Sequence, residues 1–483
     1  MSEVTIIGAG PAGSLLAIYL AKRGISVDVF EARGDMRTEK VERGRSINMA
    51  LSDRGLLALS RIGMDEYMLR EAVPMRGRMV HPVSGEAKMQ PYSGRDGEYI
   101  NSISRSGLNI ALINEAEKYD QVEFHFNERC TDVDPDRGMA TFASGGTITS
   151  RTIIAADGAG SAVRQAMAKR VSNFRSSSDF LEHGYKELHI PPGVASDRAD
   201  KNPVAPPTTP ACGHPSSGRR RASGSALNMN ALHIWPRHQF MMIALPNFDG
   251  SFTCTLFLAN GNAAENGDTA FDRLVDGRSV QRFFEREFPS AVPLMPTLVE
   301  DFFANPTGSL GTLRCSPWNI GGKLLLIGDA AHAMVPFYGQ GMNCAFEDVR
   351  VLAELVDSQL SEPPASAGGH IDWQKIFEEY SATRKPNADA IQDVAVENFY
   401  EMRDAVADPV FQRKRELETL LEQTFPDYFS KYSMVTFRED LPYSEAKRLG
   451  NAQDELLMNI CRPIKNVAEL DIESVINEIR KLK

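Results

Sequence analysis

A glycine-rich turn near the N-terminus constrains the fold more than any other feature of this sequence. Residues 3–7 are rich in β-branched and apolar types, which predicts a short buried strand, and Gly8, Gly10 and Gly13 follow with G-x-G-x-x-G spacing. In a strand–turn–helix unit, the first glycine permits the tight turn and the second lets the backbone approach a pyrophosphate. The third allows the helix to pack closely on the strand. The pattern predicts a nucleotide-binding βαβ unit.

The residues after the glycines complete such a unit. Ser14–Arg23 has the apolar spacing of a helix, whose N-terminus would attract phosphate through free N–H groups and the helix dipole. Ser26–Phe30 predicts a second strand that ends at Glu31, where a carboxylate can accept hydrogen bonds from an adenosine ribose. The alternative, an ordinary βαβ turn without a ligand, is less favoured because strand, helix and acid are all in register.

A second signature begins at Leu324. Leu324–Ile327 predicts a buried strand, and Asp329 follows at its carboxyl end, where α/β sheets bind ligands and an aspartate can accept hydrogen bonds from a ribityl chain. Residues 339–343, Gly-Gln-Gly-Met-Asn, then open a helix whose N–H groups would face a flavin ring and stabilise its reduced anion. A strand–turn–helix with a capping aspartate is the simpler alternative. The two signatures together predict that the chain binds FAD, with one end at each.

Composition narrows the choice of function. The chain of 483 residues is long enough for two or three domains, and its net charge of −11 disfavours nucleic acid as a partner. Six scattered cysteines without C-x-x-C, no secretory leader and no apolar run of about 18 residues predict a soluble cytoplasmic protein without a transmembrane segment. No metal site is expected, because zinc and calcium motifs are missing. The oligomeric state stays open, a dimer included.

The order of the predicted elements indicates an α/β protein with three parts: a Rossmann-type FAD-binding domain, an interleaved β-rich substrate domain and a C-terminal helical region. The predicted ranges are 1–72, 102–178 and 305–358 for the FAD-binding domain, 73–101 and 179–304 for the β-rich domain, and 359–483 for the helical region. Residues 191–225 are rich in Pro, Ser, Ala and Gly, which predicts a flexible insertion within the β-rich domain.

Three motifs in this order resemble the class A aromatic flavoprotein monooxygenases, the p-hydroxybenzoate hydroxylase type. They are Gly8–Gly13, Asp157–Arg164 and Gly328-Asp329. Longer strings resemble the kynurenine 3-monooxygenase family over nearly the whole chain, and they include Met75–His81, Gln90–Tyr92, His183–Leu188, Ala231–Pro236, Met334–Cys344 and Tyr432–Phe437. The insertion at 191–225 departs from the family pattern.

The resemblance implies a set of substrates and site residues. The implied reaction is the NADPH- and O2-dependent hydroxylation of L-kynurenine to 3-hydroxy-L-kynurenine through a flavin hydroperoxide on bound FAD, in tryptophan catabolism. NADPH would bind without a Rossmann domain of its own, and no residue is assigned a catalytic role. The implied substrate-binding residues are Arg78, Tyr92, Phe337, Tyr338, Asn398 and Tyr432. The implied FAD contacts are Gly8, Gly10, Ala12, Gly13, Glu31, Arg45, Arg105, Asp157, Asp329, Gly339, Gly341, Met342 and Asn343.

Two of these positions call for comment on their chemistry. Arg78 would hold the substrate carboxylate, since a guanidinium can bind a carboxylate through two parallel hydrogen bonds. Many relatives have His where this chain has Tyr338, so the polar role of that residue stays open.

Three other functions stay open at the level of sequence. A related hydroxylase of the same class could act on a salicylate- or hydroxybenzoate-like acid, and a flavin oxidase or reductase could lack hydroxylation. A non-catalytic flavoprotein-fold binder, such as a GDP-dissociation-inhibitor-like chaperone, could use the fold alone. The intact Asp329 and the glycines at 339 and 341 argue against the last.

Overall fold

The computed structural model describes residues 2–38, 48–193, 227–261, 269–361, 371–405 and 408–482. Arg45 and the part of the predicted insertion beyond residue 193 lie outside the described residues. The strands are Val4–Ile7 (β1), Val27–Phe30 (β2), Asn48–Leu51 (β3), Val73–Met75 (β4), Gly77–Val80 (β5), Lys88–Pro91 (β6), Ile100–Ser104 (β7), Val122–His125 (β8), Cys130–Asp134 (β9), Met139–Phe142 (β10), Thr147–Thr149 (β11), Thr152–Ala155 (β12), Arg175–Ile190 (β13), Leu232–Arg237 (β14), Phe240–Pro246 (β15), Phe252–Ala259 (β16), Gly308–Ser316 (β17), Asn319–Ile320 (β18) and Leu324–Leu326 (β19).

The helices lie between and after these strands. The α-helices are Pro11–Ala21 (α1), Asp53–Ser60 (α2), Asp65–Arg70 (α3), Arg105–Ala116 (α4), Ala162–Arg170 (α5), Gly277–Glu287 (α6), Leu298–Ala304 (α7), Asp329–His332 (α8), Gly341–Ser361 (α9), Trp373–Tyr400 (α10), Pro409–Thr424 (α11), Lys431–Thr436 (α12), Tyr443–Cys461 (α13) and Ile472–Arg480 (α14). Two short turns matter for the site: a 3-10 turn at Pro336–Tyr338 and a π-helical turn at Glu401–Ala405.

A six-stranded sheet in the order β18-β19-β12-β1-β2-β8 carries the glycine motif. The strands from β19 to β8 are parallel, and only β18 at the edge is antiparallel. Parallel pairs need crossover connections that cover the sheet, and α1, the first of these, is buried from Gly13 to Ala21. Because β1 lies between β12 and β2, the glycine turn at its end lies at the centre of the sheet edge. The predicted α/β fold with a Rossmann-type unit is confirmed.

A second, seven-stranded sheet has the order β17-β13-β16-β15-β14-β5-β6. Strand β17 lies in this sheet although its numbers fall in the range 305–358, which the sequence assigns to the FAD-binding domain. Helices α6 and α7 lie within the range predicted as β-rich, and α6 buries Val280, Phe283 and Phe284 in the core that it shares with one face of the sheet. The β5–β14 pair is parallel and places Arg78 opposite Leu232.

The C-terminal helices are tied to α2 and to the loop before α9 by a few buried polar contacts. Arg54 of α2 donates a hydrogen bond from Nε to the carbonyl oxygen of Val435 at 2.8 Å, and its guanidinium lies 3.9 Å from the ring centre of Tyr443. The hydroxyl of Tyr443 donates to Oε1 of Gln340 at 2.9 Å. These contacts hold α12 and α13 against α2, and α13 also against the glycine-rich loop of the second signature.

Within the described ranges, none of the helices has the length and apolar character needed to cross a membrane.

Candidate active site

The motifs that contain glycine and aspartate are far apart in sequence but meet at one edge of the six-stranded sheet. A side-chain carbon added at Gly8 would lie 2.5 Å from the carbonyl oxygen of Ala156 and 2.9 Å from Cα of Asp157. A carbon added at Gly328 would lie 3.7 Å from Cβ of Ala12. The ends of β1, β12 and β19 are therefore packed together, so the residues predicted to hold the two ends of FAD share one site, which we call the cradle.

The three glycines of the first motif are needed for different physical reasons. A Cβ at Gly13 would collide with the carbonyl oxygen of Gly8, and Gly8 itself has a φ of +104°, a conformation that favours glycine. A Cβ at Gly10 would meet no described heavy atom within 4 Å. Protein packing thus accounts for Gly8 and Gly13, whereas the space beside Gly10 fits a bound group such as a pyrophosphate.

The N-terminus of α1 is suited to an anion. Gly10 is its N-cap and offers no side-chain hydrogen bond, so N–H groups of the first turn are available to phosphate oxygens. Glu31 at the end of β2 lies beside this turn, where its carboxylate accepts hydrogen bonds from Ala9 N at 2.8 Å and Arg33 Nε at 2.7 Å. Burial opposes ionisation, but Arg33 outweighs burial and lowers the pKa of Glu31. The acid is therefore ionised and able to accept ribose hydroxyls.

Three further residues predicted to contact FAD lie around the same edge or beside it. Oδ2 of Asp157 accepts a hydrogen bond from Ala162 N at 2.8 Å, while its Oδ1 is buried and has no hydrogen-bond partner among the described residues. A buried oxygen of this kind calls for a donor, which a bound ligand can supply. Asp329 is exposed as the first residue of α8, and Arg105 is exposed as the first residue of α4.

The glycine-rich loop of the second signature leads into α9. Gly339 has a φ of +68°, in the left-handed region, and a Cβ there would lie 3.0 Å from Cβ of Ala50. Gly341 and Met342 form the first turn of α9 and are half-buried. This helix N-terminus provides N–H groups at the position predicted for the flavin ring.

The side chain of Asn343 is used entirely within the protein. Its Oδ1 accepts a hydrogen bond from Ser52 N at 3.0 Å, and its Nδ2 donates to the carbonyl oxygens of Ala50 at 2.8 Å and Gly339 at 2.9 Å. The amide therefore orders the loop, and a contact with FAD from this residue is limited to its backbone.

Asp348 of α9 fixes the second signature from inside the protein. Its Oδ2 accepts a hydrogen bond from Gly328 N at 3.0 Å and contacts Nε2 of His332 at 2.5 Å, and its Oδ1 accepts from Arg384 Nε at 2.8 Å. Burial opposes ionisation, but His332 and Arg384 lower the pKa of Asp348 to about 2. His332, Cys344 and Asp348 lie close enough to ligate a metal, but the Arg384 guanidinium already neutralises the carboxylate. His332 thus has a structural role in this network.

Beside the cradle, an aromatic stack surrounds a guanidinium. Arg78 on β5 lies 5.2 Å from the ring centre of Tyr432 and 5.7 Å from that of Tyr92. The ring of Tyr432 stacks on Tyr92 at 5.1 Å and on Tyr338 at 5.3 Å. Tyr338 immediately precedes Gly339 of the second signature, so this pocket adjoins the cradle.

The polar atoms of the pocket are poised to donate hydrogen bonds. Burial, with a contribution from Tyr432, raises the pKa of Tyr92 well above its ordinary value, and burial also raises the pKa values of Tyr338 and Tyr432. The three phenols therefore stay protonated. Nε of Arg78 and the hydroxyl of Tyr92 are buried and have no hydrogen-bond partner within the described part of the chain. A carboxylate would satisfy both.

Phe337 and Asn398 complete the six residues predicted to bind substrate. Nδ2 of Asn398 on α10 donates a hydrogen bond to the carbonyl oxygen of Phe337 at 2.7 Å. The ring of Phe337 packs on Phe399 at 4.5 Å and on Phe257 at 4.9 Å. The structure brings all six residues together, and their contact with a substrate stays a prediction.

The pocket is also lined by charged residues that no sequence motif indicates. They are Glu397, Glu401, Lys414, Arg415, Glu418, Lys431 and Asp454. In the sequence they resemble ordinary charges on helix surfaces. The one available signal is that Val394, Asn398 and Glu401 are spaced four and three residues apart, which places them on one face of a helix.

Comparison with known proteins identifies the class. The family model described as FAD binding domain matches residues 1–191 and 299–395. Solved structures share the fold: p-nitrophenol 4-monooxygenase from Pseudomonas putida is 17% identical with a TM-score of 0.63, over 92% of this chain and 98% of that chain. For 2-methyl-3-hydroxypyridine-5-carboxylic acid oxygenase, the values are 20% and 0.60, over 86% and 96%. The fold and the cradle define an FAD-binding flavoprotein.

Curated relatives named kynurenine 3-monooxygenase match almost end to end. The relative from Myxococcus xanthus is 42% identical over 99% of this chain and 94% of its own length. Those from Stenotrophomonas maltophilia and Dictyostelium discoideum are 44% and 41% identical, over 94% and 98% of this chain and 91% and 95% of their own lengths. The chain belongs to the kynurenine 3-monooxygenase family, which confirms the resemblance seen in the sequence.

Proposed function

We propose that this protein is an FAD-dependent monooxygenase that hydroxylates L-kynurenine to 3-hydroxy-L-kynurenine. NADPH and a proton are consumed with O2, one oxygen atom enters the aromatic C–H bond, and the other leaves as water. The observation that carries the proposal is the pocket around Arg78, which offers unpaired donors to a carboxylate and directly adjoins the cradle.

The carboxylate of the substrate binds to Arg78 and Tyr92. The Arg78 guanidinium supplies the charge, and the protonated Tyr92 hydroxyl adds a neutral donor that burial keeps from ionising. Hydrogen bonds to charged groups are the stronger kind, worth about 1.5–3 kcal/mol each. Tyr432, stacked on Tyr92 and lying over Arg78, holds the guanidinium in place.

The aromatic end of the substrate lies against Phe337 and Tyr338. These two residues form the turn that runs into Gly339, so a ring bound against them is held beside the cofactor. Asn398 fixes the backbone of this turn. The surrounding aromatic side chains exclude water from the pocket, which prevents side reactions with solvent.

The cradle holds FAD through the groups described above. The turn at Gly8–Gly13 and the N-terminus of α1 bind the pyrophosphate, Glu31 the ribose, Asp329 the ribityl chain, and the N-terminus of α9 the flavin ring. When bound, the flavin supplies the redox chemistry, accepting hydride and activating O2. NADPH acts as a transient co-substrate. We assign β17 to the β-rich domain and otherwise keep the predicted ranges, and we propose a cytoplasmic location.

The test is NADPH oxidation by the purified, flavin-loaded protein in air, with and without L-kynurenine, followed by product identification. We expect L-kynurenine to accelerate NADPH oxidation and 3-hydroxy-L-kynurenine to form. Peroxide without a hydroxylated product would indicate an oxidase, and a response to salicylate but not to L-kynurenine would indicate a related hydroxylase. Protein that takes up no FAD would indicate a non-catalytic binder.

A further inference from the structure

A buried carboxylate on α11 joins the two segments that carry the stacked tyrosines of the pocket. Glu422 is 5% exposed, and it does not line the pocket as the described residues define it. Its Oε2 accepts a hydrogen bond from Gly94 N at 2.9 Å. Its Oε1 accepts from Ser430 N at 2.9 Å and from the hydroxyl of Ser433 at 2.6 Å. All three partners are donors, so the position needs two acceptor oxygens, which a carboxylate provides.

The three donors lie beside the two tyrosines in the sequence. Gly94 follows Tyr92 by two residues, on the loop between β6 and β7. Ser430 is the N-cap of α12, and Ser433 directly follows Tyr432 in its first turn. The rings of Tyr92 and Tyr432 stack with their centres 5.1 Å apart. One carboxylate therefore bridges the two backbones from which the stacked rings project.

The loop between β6 and β7 is shaped for close contact with α11. A side-chain carbon added at Gly94 would lie 2.6 Å from the carbonyl oxygen of Thr419 and 3.1 Å from Cβ of Glu422. The φ of Gly94 is outside the left-handed region, so it is the close approach, and not the backbone conformation, that requires glycine here. The missing side chain lets the Gly94 N–H reach the carboxylate.

A second contact holds the same loop but does not reach α12. The guanidinium of Arg95 lies 4.0 Å from the ring centre of Phe429, and it donates a hydrogen bond to the carbonyl oxygen of Tyr428. Its Nη1 lies 3.7 Å from Oε1 of Glu422 and 3.9 Å from Oε2 of Glu98. If Glu422 loses its charge, Arg95 therefore keeps an acid partner and keeps the loop attached, so we expect the fold to survive.

We infer that Glu422 is a positioning residue that fixes Tyr92 against Tyr432 and thereby sets the geometry of the carboxylate site. Arg78 lies near both rings, and the Tyr92 hydroxyl is the second donor proposed for the carboxylate. Hydrogen bonds weaken steeply when donor and acceptor are misaligned, so a small shift of the loop away from α12 would lose this bond. The inference rests on the proposed function.

The experiment measures the Kd of L-kynurenine by titrating the change in flavin absorbance of the FAD-loaded enzyme. Glu422→Gln keeps the size of the side chain but turns one acceptor oxygen into an amide N–H2 group, which then faces one of the three donors. We expect the Kd to rise about 10-fold while the FAD content stays unchanged. Ser433→Ala removes a single bond on the α12 side and should raise the Kd about 3-fold.

A double-mutant cycle with Tyr92→Phe separates positioning from a general loosening of the pocket. If Glu422 acts through the Tyr92 hydroxyl, Glu422→Gln should raise the Kd by less than about 2-fold once that hydroxyl is gone, because both changes remove the same interaction. A merely structural role of Glu422 would raise the Kd by the same factor in both backgrounds. If Glu422→Gln does not yield FAD-loaded protein, Ser433→Ala takes its place in the cycle.

Glu416→Gln is the matched control, because Glu416 is an exposed acid of the same helix and has neither a hydrogen bond nor an ion pair within the described ranges. It should change the Kd by less than about 2-fold. A Kd that does not rise in Glu422→Gln, or one that rises equally with and without the Tyr92 hydroxyl, would overturn the inference alone. Wild-type holoenzyme that does not bind L-kynurenine would instead overturn the proposed function, and the inference with it.

Discussion

The cradle and the substrate pocket adjoin each other, yet they are built in different ways. The cradle consists of backbone groups and close-packed glycines at the ends of neighbouring parallel strands, so the sheet itself fixes its geometry. The pocket consists of side chains from β5, the 3-10 turn, α10 and α12, so the packing of helices on the sheets fixes its geometry. A backbone site and a side-chain site should respond differently to mutation, to ligands and to pH.

The largest effect is expected where the cradle is also protein core. Gly13→Ala places a Cβ against the carbonyl oxygen of Gly8, and neither backbone can move without displacing β1 or α1. We expect a cost of about 3 kcal/mol and the loss of much of the folded protein. Thermal unfolding and soluble yield check this. A variant as stable as wild type would show that the helix can shift away from the strand.

Gly10→Val separates ligand binding from packing in the same turn. The added side chain enters open space, so the protein should fold, but that space is the one we assign to the pyrophosphate. We expect a folded protein that retains almost no FAD, measured by flavin absorbance after gel filtration. Gly10→Ala should lie between this variant and wild type. A yellow, active Gly10→Val protein would place the pyrophosphate elsewhere.

Arg78→Met tests the pocket without touching the cradle. Removal of the guanidinium leaves the carboxylate of the substrate unpaired, which should raise the KM for L-kynurenine by about 100-fold. FAD retention should be unchanged, because Arg78 lies on β5 of the seven-stranded sheet, whereas the cradle lies at the edge of the six-stranded sheet. Steady-state kinetics and flavin content measure the two effects. An unchanged KM would remove Arg78 from the carboxylate site.

The smallest effect is a difference in acid sensitivity between the two regions. His81, directly after β5, donates from Nε2 to Nδ1 of His233 at 2.7 Å, since Nε2 of His233 must donate to the carbonyl oxygen of Asn228 at 3.0 Å. Burial lowers the pKa of His81 to about 3 and that of His233 to about 4, from 6.5. Both rings are therefore neutral in the folded protein.

The sign of the pH effect follows from linkage. The unfolded chain gains protons below pH 6.5 that the folded histidines do not bind, so their stabilisation is full above pH 6.5 and decreases as the pH falls toward 4. In the cradle, the lowered pKa values of Glu31 and Asp348 cost stability only as the pH falls below their ordinary values of 4.5 and 3.8. Between pH 6.5 and 4.5, acid should therefore weaken the strand pair β5–β14, which carries Arg78, before it weakens the cradle. Thermal unfolding against pH measures this, and the His81→Gln/His233→Gln double variant should flatten the curve.

The same contrast decides how much the sequence could predict. The cradle could be predicted from local patterns, because the strand, the glycine spacing and the acid at the strand end all lie within short segments. The close approach of Gly328 to Ala12 then brings together the two motifs that were each predicted to bind one end of FAD. The pocket residues were identified by family resemblance, since nothing local connects Arg78 with Tyr432. The charged residues that line the same pocket escaped prediction because they come together only where α10, α11, α12 and α13 pack.

The ties made by Arg54 and Tyr443 bear on how such a chain could change over evolution. The cradle lies almost entirely before residue 361, whereas Asn398 and Tyr432 of the pocket lie after it. The part of the pocket that these helices form can therefore vary while the cradle stays unchanged, as long as Arg54 and Tyr443 continue to anchor the helices to the rest of the fold.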